Sequence, residues 1–211
     1  LSDGQYASCR KHGFEVRIRD CRTVTPEDYG TSDAIVSVGA FEHFCSLEEY
    51  KAGKQDEVYR NFFKTVSDLL PVGGRFYLQT MAFGPKMISH EAMDIHADKN
   101  SDAYVMALAA KHLPGSWLPY GSEMITRNAE PYFKLINISN GRLDYIETIR
   151  RWRIMLRSFN VRKYTLYLKL LLQLIRDRTF IHMLEVFRVS PLKVGMERQL
   201  MDHFRIVFEK K

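Results

Sequence analysis

The sequence predicts an α/β fold, a sheet with helices on its faces and a helical insertion in the second half. Strand-like and helical stretches alternate through residues 4–81, the pattern of a parallel sheet covered by helices. Between 86 and 130, helical runs containing Met, His, Ala and Asp replace that alternation, and 203–210 returns to it. With 211 residues, 45% hydrophobic and 27% charged, the chain suits one well-packed domain spanning 1–211. Its helical lid is expected over about 86–130 and 144–200.

Taken in order, residues 4–12 read as a helix that stops at Gly13, where a glycine suits a C-terminal cap. FEVRIRD alternates apolar and charged side chains, so Phe14 to Arg19 reads as a strand. AIVSVGAF, 34–41, is nearly continuously apolar and suits a strand buried on both faces. From Asp56 to Leu70, Val58, Phe62, Val66 and Leu69 fall at helical spacing; Pro71 and the Gly73–Gly74 pair end the run. RFYLQTM, 75–81, is the next strand. LPGSWLPYG breaks the helical insertion, and YFKLINIS, 132–139, returns to strand and ends at Gly141. Two helices are expected over 144–157 and 161–178, and HFRIVFEK, 203–210, reads as a final edge strand.

Composition narrows the function classes. Cys9, Cys21 and Cys45 form no CxxC pair and leave one thiol over from any disulfide scheme, which favours a reducing cytoplasm. No signal peptide is legible. The longest apolar-rich stretch, Tyr164 to Ile175, is broken by Lys169 and Gln173 and is shorter than the ~20 residues a membrane span needs. The net charge is +6, and Arg150 to Arg178 holds nine Lys or Arg against one acid, Asp177. Such a face attracts phosphate groups, and its plainer reading is a solvated helix surface. It lacks the interleaved aromatics of a nucleic-acid stripe, so nucleic acid is not an expected partner. His90, His96, His112 and His182 show no metal-ligand spacing, and no metal is assigned.

IVSVGAFEHF, Ile35 to Phe44, carries the chemistry. An apolar strand ends at Gly39 and presents Glu42 and His43 beyond its carboxyl end, where open α/β sheets bind ligands. A carboxylate and an imidazole there can move protons or orient an anion. The plainer readings are a helix-capping acid and a satisfied structural histidine. Likewise Tyr145, on a helical stripe with Ile149 and Trp152, reads equally as core.

SVGAFEHF resembles the S-[VI]-G-[AM]-F-E-H signature of the cyclopropane-fatty-acid and mycolic-acid synthase family. Three further segments follow in family order. YRNFFKTVSDLLPVGGRFYLQTM resembles its helix and L-H-T-I strand, LPGSWLP its G-x-L-P turn, and LDYIETIRRW its Y-x-x-T-L-x-x-W helix. The resemblance implies a Rossmann-like class I methyltransferase that uses S-adenosylmethionine to methylate a double bond in a lipid acyl chain, by cyclopropanation or methyl branching. It implies Glu42 and Tyr145 as catalytic groups around a bicarbonate ion, with His43 beside them. Gln79 stands where the family has the strand histidine, and it can donate a hydrogen bond but cannot shuttle a proton. The family's late cysteine has no counterpart near Met183.

LSDGQ resembles the family's T-L-S-x-x-Q, which implies Leu1, Gln5, Asp20, Cys21, Val38 and Gly39 on the cofactor side. Asp20 also reads as a turn residue closing a strand. The family's first strand and glycine-rich loop have no match in this chain and would lie upstream of Leu1. The expectation is therefore an N-terminally truncated chain, inactive by itself, with weak S-adenosylmethionine binding. Lipid acyl chains and an anionic membrane surface are the expected partners, with a cytoplasmic, peripheral location. Met87, Met93, Met106, Leu108, Trp117 and Met124 are expected in an acyl cover or as ordinary core. Two other readings stay open: a small-molecule N-methyltransferase of the same fold, and a non-catalytic lipid- or nucleic-acid-binding module.

Overall fold

The computed structural model describes residues 3–112, 115–158, 161, 164–165 and 190–211. Its sheet comprises β1 (Ala34–Val38), β2 (Arg75–Phe83), β3 (Phe133–Asn140) and β4 (Met201–Lys210), in the order β1-β2-β4-β3. The described helices are α1 (Asp3–Lys11), α2 (Pro26–Tyr29), α3 (Leu47–Lys51), α4 (Gln55–Asp68), α5 (Asp102–His112), α6 (Gly121–Ala129), α7 (Arg142–Arg157) and α8 (Pro191–Glu197). The expected α/β architecture is present. Leu1, His182, Met183 and most of the expected 161–178 helix lie outside the described residues.

The sheet is mixed and not wholly parallel. β1 and β2 run parallel, whereas β4 is antiparallel to both β2 and β3. β4 is also no edge strand: it lies between β2 and β3, with Met201 to Phe204 all buried. Its apolar–polar alternation mimicked an edge because the polar Asp202 and His203 are themselves buried. β3 takes the edge, with every residue after Phe133 exposed and a register shift between Leu135 and Asn137.

Residues 14–20 form no strand. Phe14 is 65% and Ile18 45% exposed, and the segment pairs with no strand among the described residues. Alternation alone does not make a strand, because its backbone groups need a neighbour to bond. β1 is likewise not buried on both faces. Its other side pairs with no strand among the described residues, and Val36 and Val38 stay largely exposed.

The larger part of the core lies between α4 and the sheet. Phe62, Phe63 and Val66 of α4 meet Phe76 and Leu78 of β2, Phe133 of β3 and Phe208 of β4. Ring centroids at 5.4–6.3 Å link Phe62, Phe63, Phe76, Phe133 and Phe208 into one aromatic cluster. A second cluster joins Met81 and Phe83 of β2, Val105 and Met106 of α5, Trp117, and Met196 of α8. Together the clusters fix the carboxyl ends of β1 and β2 between them.

Candidate functional site

β1 ends at Gly39, whose φ of +63° turns the chain sharply beyond the sheet. A glycine adopts this left-handed conformation without the Cβ penalty. The turn Phe41–His43 follows, and Phe41 is fully buried, 4.5 Å from the Tyr59 ring in a stacked arrangement. Burying such a ring contributes about 1.5–3 kcal/mol, and it fixes the direction of the next side chain. That side chain is Glu42, only 3% exposed.

Glu42 Oε2 accepts a hydrogen bond from Thr80 Oγ1 of β2 at 2.9 Å. The same hydroxyl lies 3.0 Å from the Met81 carbonyl. It has one proton for two acceptors, so part of the carboxylate's capacity stays available to another donor. A buried carboxylate with spare acceptor capacity at the mouth of a sheet is suited to a cationic or hydrogen-bonding ligand.

Tyr145, in the first turns of α7, is half-buried on the other side. Burial first, and then the Glu42 charge, push its phenol above the ordinary value of 10. It is therefore a neutral hydroxyl at neutral pH, able to donate. Its ring stacks on His203 of β4, centroids 5.0 Å apart and planes inclined by 28°. Gln79 stands apart from this group. It is half-buried, its Oε1 accepts from Tyr77 Oη at 3.0 Å, and its carbonyl accepts from Gly39 N.

His43 is exposed, and its Nδ1 lies 2.9 Å from Ser116 Oγ. It links the Phe41–His43 turn to the LPGSWLP segment. Trp117 N also donates to the Cys45 carbonyl, while Gln55 Nε2 and Tyr59 Oη of α4 donate to the carbonyls of Leu118 and Trp117. Burial, with Glu49 adding to it, pushes the Cys45 thiol up to about 12.

Beside β1 lies a cleft of about 790 Å³ whose walls include Gln5, Asp20, Cys21, Ile35, Gly39 and His43. Gln5, Asp20, Cys21 and Gly39, singled out as cofactor-side residues, thus come together from α1, the 21–23 turn and the end of β1. Val38 is 57% exposed on β1. Asp20 is engaged locally: its side chain caps the turn through Arg22 N and pairs with the Arg22 guanidinium, which holds its carboxyl down at about 2. Burial raises the Cys21 thiol. The cleft combines apolar walls (Ile35, Val66) with a carboxylate and an amide, a donor set that fits an aromatic base and sugar hydroxyls.

Of the expected acyl-cover side chains, Met106, Leu108 and Trp117 are 0–2% exposed, whereas Met87, Met93 and Met124 pack partly buried against the two clusters. Thr80 and His203 were not singled out by the sequence. Among the described residues, no group of three His, Cys, Asp or Glu side chains could hold a metal ion, and no helix is long and apolar enough to cross a membrane.

The family model for mycolic acid cyclopropane synthetase matches residues 1–178. Cyclopropane mycolic acid synthase 2 of Mycobacterium tuberculosis is 28% identical over 157 residues, covering 72% of this chain and 50% of that protein. Hydroxymycolate synthase MmaA4 of the same organism is 26% identical over 163 residues, 75% of this chain and 50% of that protein. The chain thus spans about half the length of these curated relatives. Among solved structures, the cyclopropane synthase MmaA2 from Mycobacterium tuberculosis superposes with a TM-score of 0.67 at 17% identity, covering 100% of this chain and 67% of that one. A geranyl diphosphate methyltransferase in complex with S-adenosylmethionine gives 0.59 at 13% identity, covering 100% and 66%. At these identities the superpositions establish a shared fold.

Proposed function

Because the chain belongs to the mycolic acid cyclopropane synthetase family, we propose that it forms the acceptor-side part of an S-adenosylmethionine-dependent C-methyltransferase acting on unsaturated lipid acyl chains. The buried Glu42 at the carboxyl mouth of β1, hydrogen-bonded to Thr80 and close enough to perturb Tyr145, is the observation that carries this reading.

S-adenosylmethionine, when bound, supplies an electrophilic methyl group. Gln5, Asp20, Cys21 and Gly39 would hold it in the cleft beside β1. For Asp20 to accept sugar hydroxyls, its carboxylate must share or give up the Arg22 contact. An alkene is a weak nucleophile, so catalysis depends on orientation and exclusion of water. Methyl transfer to the double bond leaves positive charge on the acyl chain, and a fixed carboxylate stabilises that charge where it forms. Glu42 takes this role, and Tyr145, as a neutral donor, holds an anion or orients the chain. The cation must then lose a proton to give a neutral product, and a bicarbonate ion held by Glu42 and Tyr145 would be the base that takes it.

We read the helical segments over 86–130, with α7 and α8, as the lid of a single domain. α7 exposes Trp152, Ile154 and Met155 together with Arg151 and Arg157. Glu147 binds Arg150 and Arg151, which reduces the free positive charge of the helix. We read α7 as a peripheral contact with anionic headgroups, at about 1 kcal/mol per well-placed basic residue. Sedimentation with vesicles should rise with phosphatidylglycerol content, and an unchanged bound fraction would remove this contact from the account.

Mass spectrometry of lipids from cells expressing the full-length gene tests the activity. The expected result is a new acyl species heavier than its precursor by one methylene. No new species in any lipid class would overturn the reading.

A further inference from the structure

His203 is 3% exposed, and its Nδ1 has no hydrogen-bond partner among the described residues. A buried ring nitrogen without a partner costs stability, so its retention calls for an explanation. Its register supplies one. His203 pairs with Met81 and Arg205 with Gln79, so the side chains of Gln79, Met81, His203 and Arg205 share one face of the sheet. His203 therefore lies directly across from Met81 and diagonal to position 79, roughly 7–8 Å from it, toward the carboxyl end of β2, where Thr80 holds Glu42.

We propose that His203 is a positioning residue for the methyl-transfer site: its ring, stacked on Tyr145, sets the phenol beside Glu42. The inference rests on the reading of Glu42 and Tyr145 as the acceptor-side pair. Gly141, just before α7, makes the arrangement possible. Its φ of −95° is open to any residue, but a Cβ there would lie 2.8 Å from His203 Nδ1 and 3.2 Å from Arg205 Cζ. Gly141 N donates to the His203 carbonyl at 2.7 Å, which clamps the start of α7 to β4.

The charged groups around the imidazole favour its neutral form. Burial first, and then Arg205, hold it below its ordinary 6.5, with Asp144 acting in the opposite sense. Asp144 is itself paired to Arg205 at 2.8 Å. Asp202, adjacent on β4, is taken by Asn140 and Arg142, and Glu42 is the carboxylate whose charge acts on Tyr145. Protonating His203 would put a cation between Arg205 and the positive end of the α7 dipole, loosening the seat of Tyr145. The arrangement is thus complete above pH 6.5 and weakens as pH falls toward the lowered value.

The test uses the full-length enzyme with an unsaturated phospholipid as acceptor. His203→Ala should lower kcat by about ten- to a hundredfold with little change in KM, the signature of a misplaced group. His203→Phe, flat but unable to protonate, should recover most of that loss and flatten the fall in kcat below pH 6.5. Gly141→Ala should reproduce the His203→Ala loss. In parallel, NMR titration of the Tyr145 phenol in the 211-residue chain should show its raised value falling toward 10 in His203→Ala and persisting in His203→Phe. A full-kcat His203→Ala enzyme, or a Tyr145 titration indifferent to it, overturns the proposal. Should the wild-type enzyme transfer no methyl group, the functional reading fails, and the phenol titration alone decides the His203–Tyr145 pairing.

Discussion

Thr80 supports Glu42 through a hydroxyl that sequence patterning does not reveal, since strand alternation says which residues share a face but not which face meets the site. Thr80→Val removes the donor while keeping the shape. It leaves the carboxylate short of a partner, at a cost of about 1–3 kcal/mol, and kcat should fall while Thr80→Ser retains most of it. Steady-state kinetics and urea unfolding of the two variants check this. Tyr145 gives a pH prediction of definite sign. Its folded value is raised, so its contribution to stability is whole below about 10 and is lost as pH rises through the raised value. Thermal unfolding between neutral and alkaline pH should show the wild type losing more stability above pH 10 than Tyr145→Phe. The motifs drew attention to Glu42 and Tyr145 for the roles proposed here, and Gln5, Asp20, Cys21 and Gly39, far apart in sequence, line one cleft. His203 was not legible, because only the insertion of β4 between β2 and β3 brings it to Tyr145.

The turn Phe41–His43 and the 115–119 segment behave as one structural element. Phe41 anchors it from below, and Gln55, Tyr59 and His43 hold it from α4 and the turn itself. Phe41→Ala should cost about 3–5 kcal/mol by emptying a packed aromatic site. Tyr59→Phe removes a hydrogen bond to the Trp117 carbonyl but keeps the stack on Phe41, so its cost should be near 1 kcal/mol. Urea midpoints for the two proteins should differ accordingly. Helices α1, α4 and α7 and strands β1, β2 and β3 follow local signals such as helical spacing, glycine stops and apolar runs. The failures have a common cause in pairing. Residues 14–20 alternate correctly yet pair with no strand among the described residues, and β4 looks like an edge but is central, its polar residues buried. Local sequence encodes a strand's period, whereas its neighbours depend on the rest of the sheet.

At the scale of the whole molecule, Glu42 and Tyr145 lie against two apolar clusters, whereas the cleft proposed for the cofactor opens beside an edge of β1 that pairs with no strand among the described residues, with Val36 and Val38 exposed. An open cleft leaves much of a ligand in water, which limits affinity. Calorimetric titration of the 211-residue chain should therefore show S-adenosylmethionine binding weaker than micromolar; micromolar binding would mean that these walls suffice. Steady-state kcat and KM of Glu42→Gln in the full-length enzyme decide whether the buried carboxylate takes part in methyl transfer. Glutamine keeps the size and hydrogen-bonding reach of the side chain but removes the charge. The expected result is a fall in kcat of about a hundredfold or more, with KM for the acyl acceptor and the unfolding temperature nearly unchanged. A Glu42→Gln enzyme that turns over at the wild-type rate would contradict it.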